Sequence, residues 1–199
     1  DITATNPLKI RPESTTDILI VNASLTQLSK NQSINFENKV RMTGGTIGNV
    51  EGATHFYSEP GATGEFWLDE GATVYAANSM YWASGGGTIH LKGTLNLGSN
   101  FAVYNAGIFI CEKENALNSK PVIYSGVTNP KGRLDLNGLD QTTRSIGFIS
   151  GTVSDSTYYP FHSDTPATLN IVPTTQNQHT DGAHPFFSGR VSVNFAPTG

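Results

Sequence analysis

The 199-residue chain has a single cysteine, two methionines and two tryptophans, and only 14% of its residues are charged. One cysteine, Cys111, excludes an intrachain disulfide and any cysteine-based metal site. It ends the apolar run Gly-Ile-Phe-Ile-Cys with no evident basic partner, which predicts a buried or half-buried structural thiol and not a nucleophile. No stretch approaches the roughly 20 apolar residues that cross a bilayer as a helix, so no membrane crossing is expected within this chain. The N-terminus, DITATNPLKI, lacks the charged and apolar regions of a signal peptide, and any export signal is expected to have been removed or to lie outside the chain. Twelve Lys and Arg against sixteen Asp and Glu leave a net charge of -4 without a basic run, which argues against a nucleic-acid partner. Strong helix formers never cluster in a long amphipathic pattern, and one helical turn near Glu112 to Leu117 is the most that is expected.

What is present is a succession of short alternating runs, each of strand length: Ile18 to Val21, Ser33 to Phe36, Glu65 to Leu68, Thr88 to Leu91 and Thr94 to Leu97. Turn signals separate them, among them Gly44-Gly45, Pro60-Gly61, Asn137-Gly138 and Asp181-Gly182. A glycine followed by alternating apolar residues recurs as GEFWL at Gly64, GATVY at Gly71, GTIHL at Gly87, GTLNL at Gly93 and GRLDL at Gly132. A strand with two inward apolar residues cannot bury its face alone, whereas stacked copies share a continuous core. The expected fold is therefore all-β, a right-handed parallel β-helix (β-solenoid) with inserted loops, formed by residues 1–199 as a single unit. A β-sandwich of the same strands is the alternative. In the solenoid, Leu134 and Leu136 point inward and Asn137-Gly138 forms a left-handed corner. The polar segment Gly151 to Thr168, with Tyr158, Tyr159 and Asp164, is expected to be a protruding loop or hairpin.

From Gly107 onward a set of elements appears in order: GIFI (107–110), ENAL (114–117), GRLDLNG (132–138), DQTTRSIG (140–147), TPATLNI (165–171) and FFSGRVSVNF (186–195). Over residues 107–195 this order resembles the autotransporter-associated β-strand repeat of large secreted or surface-displayed bacterial passenger proteins. The resemblance implies a parallel β-helix of secreted type and a place within a longer protein. It carries no catalytic residue to this chain.

Chemistry-bearing clusters are sparse. His162, Asp164, His179, Asp181 and His184 fit no zinc spacing, and polar loops are ordinarily solvated, so no metal or cofactor is assigned. Asp69-Glu70 point opposite ways on a strand, and Glu112 with Glu114 and Asp135 with Asp140 are the remaining close acidic pairs; Asp135 is read as part of a solvated face. His90 alternates with Ile89 and Leu91 as an outward residue would. Ser188-Gly189 lacks the nucleophile elbow. Tyr75, Tyr81, Trp82, Phe101 and Tyr104 enrich the middle third. Of these Tyr81 and Trp82, with Tyr158 and Tyr159 of the expected loop, are the candidate ligand surface. The function expected is thus non-enzymatic: a secreted or cell-surface spacer, display or adhesin-like segment, with glycans or neighbouring cell-surface molecules as partners. The alternatives are a carbohydrate-binding or carbohydrate-cleaving β-helix and a homotypic assembly unit.

Overall fold

The structure, a computed structural model, describes residues 1–10, 17–30, 33–58, 64–83, 87–104, 107–118, 122–125, 133–150, 161–172 and 187–196, with the backbone alone described at 57–58, 81–83, 102–104, 122–125 and 147–150. Strands follow one another as β1 (Ile2–Ala4), β2 (Leu8–Ile10), β3 (Ile18–Ile20), β4 (Ala23–Gln27), β5 (Ser33–Phe36), β6 (Lys39–Asn49) and β7 (Thr54–Ser58). They continue as β8 (Glu65–Ala76), β9 (Met80–Ala83), β10 (Thr88–Leu91), β11 (Thr94–Leu97), β12 (Phe101–Tyr104) and β13 (Ile108–Cys111). The last six are β14 (Val122–Ser125), β15 (Arg133–Asp135), β16 (Gln141–Thr143), β17 (Ile146–Ser150), β18 (Phe161–Ile171) and β19 (Phe187–Phe195). Among the described residues there is no helix; around Asn115 and Asn118, both at positive φ, the expected helical turn is a run of turns.

Every strand pairing between described residues is parallel, and each strand pairs with one a turn away in sequence. A sandwich, built from antiparallel ladders, is thereby excluded, and the fold is an all-β parallel β-solenoid. The larger sheet holds β6, β8 and β18, in which three consecutive outward or exposed residues interrupt the alternation at Asp69 to Gly71 of β8 and at Asp164 to Pro166 of β18. The chain turns a corner there, so this sheet supplies two faces. The second sheet, from β2 through β5, β7, β9, β12 and β14 to β17, supplies the third.

Stacking in register explains the repeated units. On the first face Phe66, Ile89, Phe109, Leu134 and Phe161 occupy one inward column, and Leu68, Leu91 and Cys111 occupy another. GEFWL and GTIHL are successive turns of this face and GRLDL follows after the turn of Ile108–Cys111, while GATVY and GTLNL stack on the second face with Val74 over Leu95. The units look irregularly spaced because one turn holds two of them. Across the interior Phe66 of the first face meets Phe36 and Phe56 of the third edge to face, with centroids 5.2 and 5.7 Å away, and the buried residues of all three faces form one core.

Leu134 and Leu136 are fully buried, as expected. Asn137 and Gly138 adopt φ of 53° and 74°, and each also ties a neighbouring turn. The Asn137 amide donates to the Cys111 carbonyl at 3.2 Å, and the Gly138 N–H donates to Ser163 Oγ at 2.9 Å. All described non-glycine residues at positive φ are asparagines, the residue type that tolerates this region best after glycine.

The expected loop over Gly151 to Thr168 is corrected in its second half. Phe161–Ile171 is a strand whose Phe161, Ser163, Ala167, Leu169 and Ile171 face inward. Its polarity misleads because Ser163, though fully buried, is satisfied: its hydroxyl accepts from Gly138 and donates to the Thr165 carbonyl at 2.7 Å. Tyr158 and Tyr159 lie outside the described residues.

Leu134→Ala and Leu136→Ala should each lower the unfolding free energy by about 2–5 kcal/mol, against less than about 0.5 kcal/mol for Thr94→Ala on an outer surface. Cys111 reports the transition. It is fully buried, and burial followed by the nearby Asp135 and Glu112 charges pushes its pKa up. Iodoacetamide should leave the native thiol unmodified and alkylate it in concentrated urea, with the leucine variants reacting at lower urea.

Candidate functional site

Register also builds columns outside. On the first face the outward positions Arg41, Trp67, His90, Ile110, Asp135, His162 and Ser188 succeed one another turn by turn. The Arg41 guanidinium grips Asp69 through two bonds of 2.7 and 3.1 Å, which raise its pKa by hydrogen bonding and charge. Trp67 lies between cations of the preceding turn and an imidazole of the next. Lys39 Nζ and Arg41 Cζ sit 5.4 and 5.8 Å from its ring, and His90 stacks on it at 3.6 Å with planes 4° apart. His90 Nδ1 is 2.7 Å from Glu112 and Nε2 is 3.1 Å from Glu65. His90 is outward by register yet only 8% exposed, because these neighbours enclose it. A sugar ring therefore has no free face of Trp67 to stack on. This assembly braces successive turns.

A second histidine cluster joins two of the candidate residues, His162 and Asp164, to Ser188. His162 Nδ1 lies 2.8 Å from Ser188 Oγ, and Nε2 lies 2.9 Å from Asp164 Oδ1. In the neutral ring, with the Asp164 carboxylate as acceptor, Nε2 carries the proton and Nδ1 accepts from the serine hydroxyl. The three residue types are those of a serine hydrolase triad, but the Asp164 side chain is 92% exposed at a corner, where water takes over the work a buried carboxylate does for an imidazolium. Similar cross-turn pairs join Asn194 to Asn170 at 3.1 Å and Thr46 to Ser24 at 3.3 Å, so the cluster belongs to a general pattern of outward polar ladders. His162 and Asp164 are two residues apart, whereas Ser188 is 26 residues from His162 and joins them only through the register.

The acidic pairs separate. Asp69 holds Arg41, Glu112 holds His90, Asp135 accepts from the Asn137 N–H at 2.9 Å, and Asp140 accepts from the Thr168 N–H at 2.7 Å. Asp135 is flanked in register by Ile110 and His162, not by another acid. No group of three or more His, Cys, Asp or Glu among the described residues could hold a metal, and His179, Asp181 and His184 lie outside them.

The aromatics expected at a ligand surface also part company. Phe101 is fully buried in the core. In β9 the backbone register places Tyr81 beside His55 and Trp82 beside the buried Phe56; their side chains lie outside the described residues, as do Tyr158 and Tyr159. Tyr75 is outward on the second face. It lies in the column Thr26, Gly48, Tyr75, Asn96, beside the column Ser24, Thr46, Thr73, Thr94. Gly48 leaves a gap in the first column, and a depression of about 180 Å³ opens there between Thr26, Thr46, Thr73, Tyr75 and Asn96. An added Cβ at Gly48 would collide with the Tyr75 carbonyl oxygen, so the close approach of the two turns requires glycine.

These features define a parallel β-solenoid with buttressed outer faces. Comparison with protein-family models, curated proteins and solved structures returned no match.

His55, on the third face, has its pKa lowered by burial. Its folded value lies below the unfolded one of about 6.5, so as pH falls below about 6.5 the unfolded chain takes up a proton that the fold resists. Stability contributed by neutral His55 is complete above that pH and is lost on acidification. His55→Gln should flatten this part of the stability profile, measured as urea midpoints between neutral pH and the onset of carboxylate titration.

Proposed function

We propose that the chain is a segment of a secreted or cell-surface rod that spaces, displays or attaches other molecules. The observation that carries this reading is the uninterrupted inward stack of the first face, from Ile18 through Val40, Phe66, Ile89, Phe109, Leu134 and Phe161 to Phe187. Each turn supports the next, and the backbone ladder runs along the axis at about 4.8 Å per turn, a geometry that resists bending and leaves corners and outer faces for contact. The ordered resemblance of residues 107–195 to the autotransporter-associated repeat supports export and display of a passenger kind. Glycans and neighbouring cell-surface molecules are the partners proposed, through a surface without chemistry of its own.

A glycan-array screen of the purified chain, followed by analysis of each hit for new reducing ends or unsaturated products, tests the reading. Binding without turnover is the expected result. Reproducible cleavage would make the chain a carbohydrate-active enzyme and overturn it.

One observation favours self-association as a second reading. Among the described residues the exposed large hydrophobics are Ile2, Leu19, Val21, Val50, Val172 and Phe195, and all but Val50 sit at the first or last turns. A cavity of about 450 Å³ lined by Ile2, Leu8, Ile10, Leu19 and Val21 opens at the N-terminal end. Apolar surface of this kind suits association between copies of the chain. Sedimentation should then show mass rising with concentration, and Leu19→Lys should return the chain to monomer; a monomer at all concentrations would remove this reading.

A further inference from the structure

We propose that the depression on the second face binds a neutral glycan chain, with Tyr75 as the stacking platform and the solenoid axis as the direction of the chain. The inference rests on the display reading and names its ligand and site. Three independent properties of the depression converge on this ligand.

The first is the chemistry of the wall. Thr26, Thr46 and Thr73 offer hydroxyls, Asn96 offers an amide, Tyr75 offers a ring with a phenol, Leu25 and the exposed Val50 add apolar surface, and no charged side chain lines the depression. A pyranose has the complementary surface: an apolar C–H face for the ring and equatorial hydroxyls that both donate and accept. A uronate or sulfated sugar would bring an anion to a wall without a cation, at the expense of its hydration. Acids and bases are instead gathered on the first face, around Trp67 and His90.

The second is that the shape is built into the backbone. The gap exists because Gly48 has no side chain, and the Tyr75 carbonyl excludes any replacement. Thr54 Oγ donates to that carbonyl at 2.6 Å, fixing the strand that carries the ring. Threonines are stiff at χ1, and Thr46 is further oriented by its 3.3 Å bond to Ser24. Little ordering is left for a ligand to impose, which favours binding by a shallow site.

The third is direction. Thr26, Gly48, Tyr75 and Asn96 come from four successive turns and run along the axis. At about 4.8 Å between turns, a linear glycan laid along this column meets Thr26, passes over the gap at Gly48, and then meets Tyr75 and Asn96. A compact small molecule would use only the central gap.

Calorimetric titration of the intact chain with cellohexaose, xylohexaose and mannohexaose tests the proposal. At least one should bind. Tyr75→Ala should weaken it by about tenfold or more, since the stacking platform is lost, and Tyr75→Phe should stay within about threefold. Thr73→Val, which preserves shape, should weaken it measurably, and unchanged urea midpoints would show that the variants remain folded. A hexagalacturonate probe should not bind. The proposal is overturned if none of the neutral hexasaccharides binds, if Tyr75→Ala binds as the parent does, or if hexagalacturonate binds as tightly as they do. Failure here leaves the rod intact, because the variants alter only an outer face. Conversely, cleavage of a hexasaccharide whose binding Tyr75→Ala abolishes would sink the display reading while keeping the site.

Discussion

Parallel pairing in register, one turn over another, is the constraint on which the rest of this molecule depends. A residue paired with its counterpart a turn away inherits that counterpart's side of the sheet, because alternation along a strand is fixed at two. Inward positions thereby become apolar columns and outward positions become ladders of whatever chemistry the turns supply. The core is the inward set, with Phe66 of the first face meeting Phe36 and Phe56 of the third. Arg41, Trp67, His90 and Glu112 are the outward set on one face, and Thr26, Tyr75 and Asn96 that on another.

Corners are where this regularity must be broken, and two kinds of residue break it at low cost. Asparagines at positive φ turn the chain and reach across to a neighbouring carbonyl, as Asn118 does to Leu95 at 3.0 Å and Asn137 does to Cys111. Glycines permit close approach, as at Gly93, where an added Cβ would meet the Ala72 carbonyl. Faces are consequently generic in sequence while corners are particular.

Much of the fold was legible because it is written locally. The glycine-led alternating units, Leu134 and Leu136 inward, and the left-handed Asn137-Gly138 corner all follow from neighbours within a few residues. The site was less legible because it is written at distances set by turn length. His162 with Ser188, His90 with Glu65, and Tyr75 with Gly48 meet only once the turns are aligned. His90 looked like an ordinary outward residue, and its enclosure comes from partners 22 and 25 positions away. Phe161–Ile171 was misjudged for a related reason: Ser163 reads as solvent-facing until its hydrogen-bond partners from another turn are known.

Near-equivalent turns carry a hazard of their own, for a growing stack can skip a turn and still match apolar to apolar. Asn49 answers that hazard. Fully buried, its amide accepts from the Glu51 and Gly52 N–H groups and donates to the Ser29 carbonyl at 2.8 Å, and it shares its inward column with Gln27 and Ala76. Displaced, it would give up these bonds, a loss with no counterpart in the aliphatic columns beside it. The buried amides of Gln27 and Asn49 thus set these two turns apart from the aliphatic columns beside them, so a core that is uniform in shape is not uniform in hydrogen bonding.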